Sequence, residues 1–381
     1  MKNKGFLDGR FAYLFNEGLL FTIVSIVLGF LVGAGVLGVS GFNPLEAYKI
    51  MIKGVFSRPG YIAWTVVRAT PIIITGLSVA FAFKTGLFNI GAEGQFIIGT
   101  IVASLVGYAI KLPAIIHIPL VFITAVMAAG LWGGIAGYLK AKFGVNEVIS
   151  TIMLNWIALY LNNYIVRMEQ FKRATSQRTH EIMDTASIII LEKWKRTPSG
   201  RNFVANYKFW GDFLRAPLNW GFIIAIILAL ITWYILNKTT LGYELKAVGL
   251  NEEAAEYGGI DVARSMLISM VIAGALAGAA GALHVMGNSK SIASLAASEG
   301  YGFDGMAVAL IGRNTSIGAI LAGLLFSGIQ YGGGKIQPAL GAPSEVIDIM
   351  IGTIVFFIAM PQLIKIIFSR PRKRGNGQNA K

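Results

Sequence analysis

Leu218-Asn-Trp-Gly-Phe-Ile-Ile-Ala-Ile-Ile-Leu-Ala-Leu-Ile-Thr-Trp-Tyr-Ile-Leu-Asn237 runs without one Asp, Glu, Lys or Arg, between Arg215 and Lys238. At 1.5 Å per residue such a stretch makes a helix about 30 Å long, the thickness of a bilayer's hydrocarbon core. Runs of the same kind recur near 19–39, 62–83, 88–110, 113–139, 148–166, 263–286, 316–334 and 345–368. A further apolar piece, Phe303 to Gly312, is too short to cross as a helix and reads as a half-helix or re-entrant segment. The expected fold is therefore an all-α polytopic membrane protein with about ten transmembrane segments, nine full and one short. The first run starts too far into the chain, and lacks the small-residue cleavage pattern, to be a removable signal peptide. It is expected to stay as an anchor.

Composition agrees. The 381 residues are 55% hydrophobic and 14% charged, with a mean hydropathy of +0.64, whereas soluble domains carry about 25% charged residues. With no cysteine, there are no disulfides, thiolate metal sites or cysteine nucleophiles. His117, His180 and His284 are too scattered for metal-ligand spacing, so no metal site is expected. No Ser/His/Asp set or carboxylate pair has catalytic spacing, and no catalytic residue is assigned. The net charge of +14 fits cytoplasmic loops and anionic membrane lipids, and no nucleic-acid partner is expected.

Lys and Arg near the spans orient the chain. The tail holds Lys365, Arg370, Arg372, Lys373, Arg374 and Lys381 with no acid, and Lys2, Lys4 and Arg10 lie at the start. Both termini are expected in the cytoplasm. The chain then divides into a cytoplasmic segment 1–18, a first transmembrane half 19–167, an extracytoplasmic loop 168–217, a second half 218–368 with a cytoplasmic loop 238–262, and a basic tail 369–381. The 168–217 loop carries nine basic residues against five acidic ones, contrary to the simple charge rule, but it is near the length at which loop charge stops deciding orientation. Its aromatic residues suffice for a small folded cap, and a solvated connection would also fit.

The cytoplasmic loop reads Thr240-Leu-Gly-Tyr-Glu-Leu-Lys-Ala-Val-Gly-Leu-Asn-Glu-Glu-Ala-Ala-Glu-Tyr-Gly-Gly-Ile-Asp261. Asn251 is a good N-cap, Glu252 and Glu253 suit the positive end of a helix, and Gly258 stops it. Ala254 and Ala255 would leave a smooth face that a separate motor subunit could grip. An ordinary helical linker has the same pattern.

The pattern Gly249-x-Asn251-x-x-Ala254-Ala255-x-Tyr257-x-Gly259-Ile260 resembles the coupling loop of ABC importer permeases of the branched-chain amino acid and ribose permease superfamily. Lys84-Thr-Gly-Leu-Phe-Asn-Ile-Gly-Ala-Glu-Gly-Gln95, Phe143-Gly-Val-Asn-Glu-Val-Ile-Ser-Thr-Ile-Met-Leu-Asn155 and Gly302-Phe-Asp-Gly-Met-Ala-Val-Ala-Leu-Ile-Gly312 are similar to its nucleoside branch, whose binding protein is a basic membrane lipoprotein. The resemblance implies a permease in a bacterial plasma membrane, paired with a second, related permease. It also implies a cytoplasmic ABC ATPase, contacted through Gly249, Asn251, Glu252, Ala254, Ala255, Tyr257 and Gly258, and a lipid-anchored substrate-binding protein. ATP would be used by the partner. Indeed Gly332-Gly-Gly-Lys335 fails as a phosphate loop, because Ile336 follows the lysine and Ile329 replaces the first glycine.

Phe88-Asn89 and Phe303-Asp304 each open a Gly- and Ala-rich segment, in corresponding places after spans of opposite direction. Asn89 and Asp304 read as N-caps of half-helices, and the halves 62–167 and 263–368 as inverted repeats whose interrupted segments mark the translocation path. Gly91, Gly94, Gly302 and Gly305 would also serve plain close helix packing. Arg68 is expected to snorkel to the outer interface. Glu93 either faces a wet path or pairs internally, with Arg68 or Lys84 as candidates. Asn155 and Trp156 join an amide to a ring that could serve a nucleobase, or simply pack. The candidate path residues are Asn89, Glu93, Gln95, Asn155, Trp156 and Asp304. The expected function is nucleoside import as a permease subunit, with simple sugars second. An ion-coupled secondary transporter is the competing class, for which Glu93, Glu299 and Asp304 are the available acids.

Overall fold

The computed structural model describes residues 17–174 and 176–360, so the first sixteen residues and the basic tail, with the charges that orient the termini, lie outside it. The described residues are helices joined by turns, with only isolated bridges between extended segments. In order these are α1 (Glu17–Val39), α2 (Pro44–Phe56), α3 (Pro59–Phe83), α4 (Ala92–Ala109), α5 (Ala114–Phe143), α6 (Glu147–Arg167), three short helices α7 (Glu192–Arg196), α8 (Pro198–Asn206) and α9 (Lys208–Arg215), then α10 (Gly221–Lys238), α11 (Thr240–Leu250), α12 (Glu252–Tyr257), α13 (Val262–His284), α14 (Tyr301–Ile311), α15 (Ser316–Gly333), α16 (Ile336–Leu340) and α17 (Ser344–Ala359).

Each of the ten expected segments has its helix. Seven helices are long and apolar enough to cross a membrane, or eight if α1 and α2, bent by 119°, form one span. Of the remainder, α14 has 11 residues and α17 has 16. The short apolar segment is thus a short helix, as expected, and α2 is an addition that the hydropathy pattern did not separate from its surroundings. Asn43 starts it by accepting from Leu45 and Glu46 N–H, with Pro44 at the first helical position. Asn146, Thr239, Asn251, Asp261 and Thr315 cap α6, α11, α12, α13 and α15 in the same local manner.

The two halves exchange their packing. Helix α3 of the first half packs on α14 and α15 of the second, and α13 of the second half packs on α4 and α5 of the first. The exchange is tight because small residues line it: a Cβ on Gly281 would lie 2.3 Å from the Phe96 carbonyl oxygen, and one on Gly278 2.2 Å from the Ala129 Cβ.

At one end of the bundle, segment 168–217 is folded rather than strung out. Lys290 donates to Glu192, Arg58 pairs with Asp212 at 2.6 Å, and Asn219 Nδ2 donates to the Gly287 carbonyl at 2.9 Å. At the opposite end, Gly249 meets the turn after α3 so closely that a Cβ would stand 2.3 Å from the Lys84 carbonyl oxygen.

Candidate translocation path and coupling surface

The structural centre is the place where α4 and α14 begin. Helix α3 has 25 residues, and Thr75 lies about 24 Å along it, fully buried within the bundle. The Thr75 hydroxyl is 2.8 Å from the Tyr301 carbonyl at the start of α14. A helix start leaves its first N–H groups without partners, and in hydrocarbon that is costly. Glu93, fully buried in the first turn of α4, supplies the acceptors: Gly300 N–H donates to Oε1 at 2.8 Å and Gly302 N–H to Oε2 at 2.6 Å. A carboxylate there also complements the positive end of the helix dipole. Gly300 turns the chain into α14 at φ +89, and a Cβ on Gly302 would lie 2.2 Å from the Glu93 nitrogen. The partners of Glu93 are therefore backbone donors, in place of the Arg68 and Lys84 side chains considered above.

The buried amides brace this junction. Asn89 Nδ2 donates to Gln95 Oε1 at 2.9 Å and Gln95 Nε2 returns a bond to Asn89 Oδ1 at 3.1 Å. Asn155 Oδ1 accepts from Gly94 N–H at 2.8 Å and its Nδ2 donates to the Ile90 carbonyl at 3.0 Å, tying α6 to the turn before α4. Asn89 does not act as the expected N-cap: Gly91 occupies that position of α4, without a side-chain cap. The reason is that Gln95 offers Asn89 a complete bidentate partner. Asp304 is likewise no cap. It lies within the first turn of α14, half-buried, and accepts from Gln330 Nε2 at 2.9 Å, while Glu93 fills the cap's place.

The structure separates Asn155 from Trp156. The amide turns into the bundle, whereas the indole is 51% exposed and stacks on Tyr160, with centroids 6.2 Å apart. Phe303 is also partly exposed. Arg68 is exposed on α3, and its guanidinium lies over the Tyr331 ring, 5.4 Å from its centroid.

Between segment 168–217 and the junction, Thr100, Asn162, Arg178, His284, Ser291 and Glu299 help line a pocket of about 100 Å³. At its base Phe96, His284 and Tyr301 cluster with centroids 5.0 to 5.8 Å apart. Sequence reading passed over His284, Tyr301 and Thr75, because only the re-entry of residues 290–300 brings them together.

At the far end, Asn251 Oδ1 accepts from Ala254 N–H at 2.8 Å and caps α12, as expected. Gly258 is its C-cap and Gly259 takes the left-handed turn at φ +82. One expectation is corrected. Ala254 is exposed, but Ala255 is 5% exposed, packed in a cluster with Leu87, Val248 and Met266. A helix of six residues anchored along one side must bury one of two adjacent positions. The outward face consists of Glu252, Glu253, Ala254 and Tyr257, with Leu250 beside it; Tyr257 is 97% and Leu250 88% exposed.

Residues 61–359 match the family described as the branched-chain amino acid transport system / permease component. The chain belongs to this family. It is 42% identical to the guanosine ABC transporter permease protein NupP of Bacillus subtilis over 94% of this chain and 97% of the relative. It is 37% identical to the nucleoside ABC transporter permease protein NupB of Lactococcus lactis, over 93% and 94%. It is 30% identical to the glucose ABC transporter permease protein TsgB13 of Haloferax volcanii, over 93% and 91%. No solved structure matches. The protein is thus a multi-pass membrane permease subunit of an ABC importer, a transporter component rather than an enzyme.

Proposed function

We propose that this permease carries nucleosides. The observation that supports the substrate best is the 42% identity to NupP over nearly the full length of both chains, against 30% to a glucose permease. The chemistry is compatible. Nucleosides are neutral, so their path needs rings, amides and hydroxyls in place of a charge cluster, and such groups are present in the exposed Trp156, Tyr160 and Phe303 and the polar pocket beside Asn162 and Thr100. The braced set Asn89, Glu93, Gln95 and Asn155 then shapes the path from behind.

In this reading a second permease completes the path, a lipid-anchored binding protein delivers substrate beside segment 168–217, and a cytoplasmic ABC ATPase grips α12 and consumes the ATP. The membrane is a bacterial plasma membrane and both termini are cytoplasmic. The face formed by Leu250, Ala254 and Tyr257 supports a docked partner, because large side chains this exposed in an aqueous loop gain from being covered.

The test is uptake by the co-expressed system in cells. Labelled guanosine is expected to accumulate with ATP present, with glucose a weak competitor, and Trp156→Ala is expected to lower uptake while the ATPase still co-purifies. Glucose uptake without guanosine uptake would replace the substrate. Guanosine uptake that persists after ATP depletion, with ion gradients maintained, would favour a secondary transporter. Since the chain has no cysteine, single cysteines at Ser199 and Ser369 test orientation, with impermeant label expected to reach the first from outside and the second from inside.

A further inference from the structure

Helix α2 follows a bend of 119° from α1 and presents two kinds of surface at once. Ala47, Met51, Gly54 and Val55 are buried, while Lys49, Ile52, Lys53 and Phe56 are exposed, and their i, i+3 and i+4 spacing places them on one face. A helix whose open face mixes lysines with large apolar side chains is suited to the headgroup boundary. Beneath it lies a groove of about 330 Å³ between α1, α2, α3 and α15. Phe30, Ile52, Phe56, Ile62, Leu324 and Leu325 are among the side chains that line it, and its one polar group is the Thr65 side chain, whose hydroxyl is turned onto the Tyr61 carbonyl at 2.9 Å.

Cations lie beside the groove: Lys53 follows Ile52 on α2, and Lys335 reaches α2 from the end of α15. The Lys335 stem packs on Gly54, and its Nζ lies 4.8 Å from the centroids of both Tyr61 and Tyr331. Arg58 is matched by Asp212, but among the described residues no carboxylate is within ion-pair distance of Lys49, Lys53 or Lys335. An apolar slot of this volume, flanked by ammonium groups that have no carboxylate partner, has the chemistry of one amphiphile. We propose that the groove holds an acyl chain of an anionic phospholipid, with the phosphate held between Lys53 and Lys335. A polypeptide helix in the slot would have to bury the same lysines or bring its own carboxylates, whereas a phospholipid supplies chain and counter-charge together. The site would fix α2 against α3 and α15, and so tie the lipid to the helices that pack on α14.

Gly328 gives the means of testing it. A Cβ there has no neighbour closer than Thr65 Cγ2 at 3.9 Å, so Gly328→Phe fills the groove without displacing backbone. The full chain, purified in detergent, is titrated with phosphatidylglycerol or phosphatidylcholine of the same acyl chains, and bound lipid is counted by native mass spectrometry. Wild type is expected to favour phosphatidylglycerol about tenfold. Lys53→Gln with Lys335→Gln is expected to bring the two lipids to parity while binding persists, and Gly328→Phe to remove binding of both, with Gly328→Ala as a folding control that retains it. Equal affinity in wild type, or lipid binding unchanged by Gly328→Phe, overturns the proposal. So does a Gly328→Phe variant that keeps its lipid but loses association with another subunit, which would make the occupant a polypeptide.

Discussion

Helix α12 begins at Asn251, whose own side chain accepts the Ala254 N–H three residues on, whereas α14 begins at Gly300 and has its donors met by Glu93, 207 and 209 positions away in the chain. Both arrangements answer the same need for acceptors at a helix start. They differ in what else is tied down. The local cap stabilises six residues of aqueous loop. The distant one joins the two halves of the permease where water cannot substitute for a lost partner, so breaking it is a change to the bundle rather than to one helix.

The largest effect is expected at the tightest contact of that junction. Gly302→Val places side-chain atoms against the Glu93 backbone, which cannot yield without moving α4. Overpacking of this kind costs about 3 kcal/mol or more, and little folded protein is expected in detergent. A well-folded Gly302→Val variant with wild-type melting would mean that α4 and α14 are not held this closely. Next comes Glu93→Gln, which keeps the shape but puts an NH2 where one N–H must find an acceptor. Loss of a charge-assisted bond and an orphaned donor together are expected to cost about 2 kcal/mol. Hydrogen exchange should accelerate at Gly300 and Gly302 while α12 is unchanged. If uptake survives and still requires ATP, Glu93 serves the architecture and not ion coupling.

The coupling loop sharpens the contrast through two adjacent alanines. Ala255→Arg is expected to disrupt the packing against Leu87, Val248 and Met266 and to expose the loop to proteolysis. Ala254→Arg is expected to leave the permease folded while preventing ATPase co-purification, because that side chain points outward. Identical behaviour of the two variants would remove the basis for a one-sided docking face. Smaller still is Asn251→Ala, with a loss of about 1 kcal/mol confined to the helix it caps. Exchange is expected to rise over residues 252–258 with no change at Gly300.

These pairs also show what could be read from sequence. Long apolar runs declare themselves through composition, and the cap Asn251 lies within three residues of the donor it satisfies, so both were legible. The partner of Glu93 was not, because it depends on the re-entry of residues 290–300, and nothing near Glu93 in the chain names Gly302. Asn89 misled for a related reason: its type suits a cap, but Gln95, six positions on, offers it two bonds at once. Ala255 misled because an alanine pair has no polarity to report which member faces the bundle. The short length of Phe303 to Gly312 did carry a true signal, since a segment too short to cross must begin or end inside.

The smallest expected effect lies in the cap formed by 168–217, which is clamped by a largely buried ion pair, Lys290 with Glu192, and an exposed one, Arg196 with Glu192. Glu192 accepts from Lys290, from the Ser187 hydroxyl at 2.7 Å and from Arg196 at 2.6 Å. Burial pushes its carboxyl up, but these donors and the two cations outweigh burial and hold it below the ordinary carboxylate range. A carboxyl depressed by folding contributes stability that is present above its unfolded value, about 4.3, and is lost as pH falls through the lower folded value. Docking of the cap is therefore expected to be flat from neutral pH to about 5 and to weaken below about 4, read as faster exchange over residues 188–196. Glu192→Gln is expected to loosen the cap slightly at neutral pH and to remove that acid dependence. Loosening that sets in at neutral pH, or an acid dependence that survives Glu192→Gln, would remove Glu192 as the group responsible. Because Arg196 is largely exposed and solvent screens it, the change should also shrink with added salt, unlike anything done to Glu93.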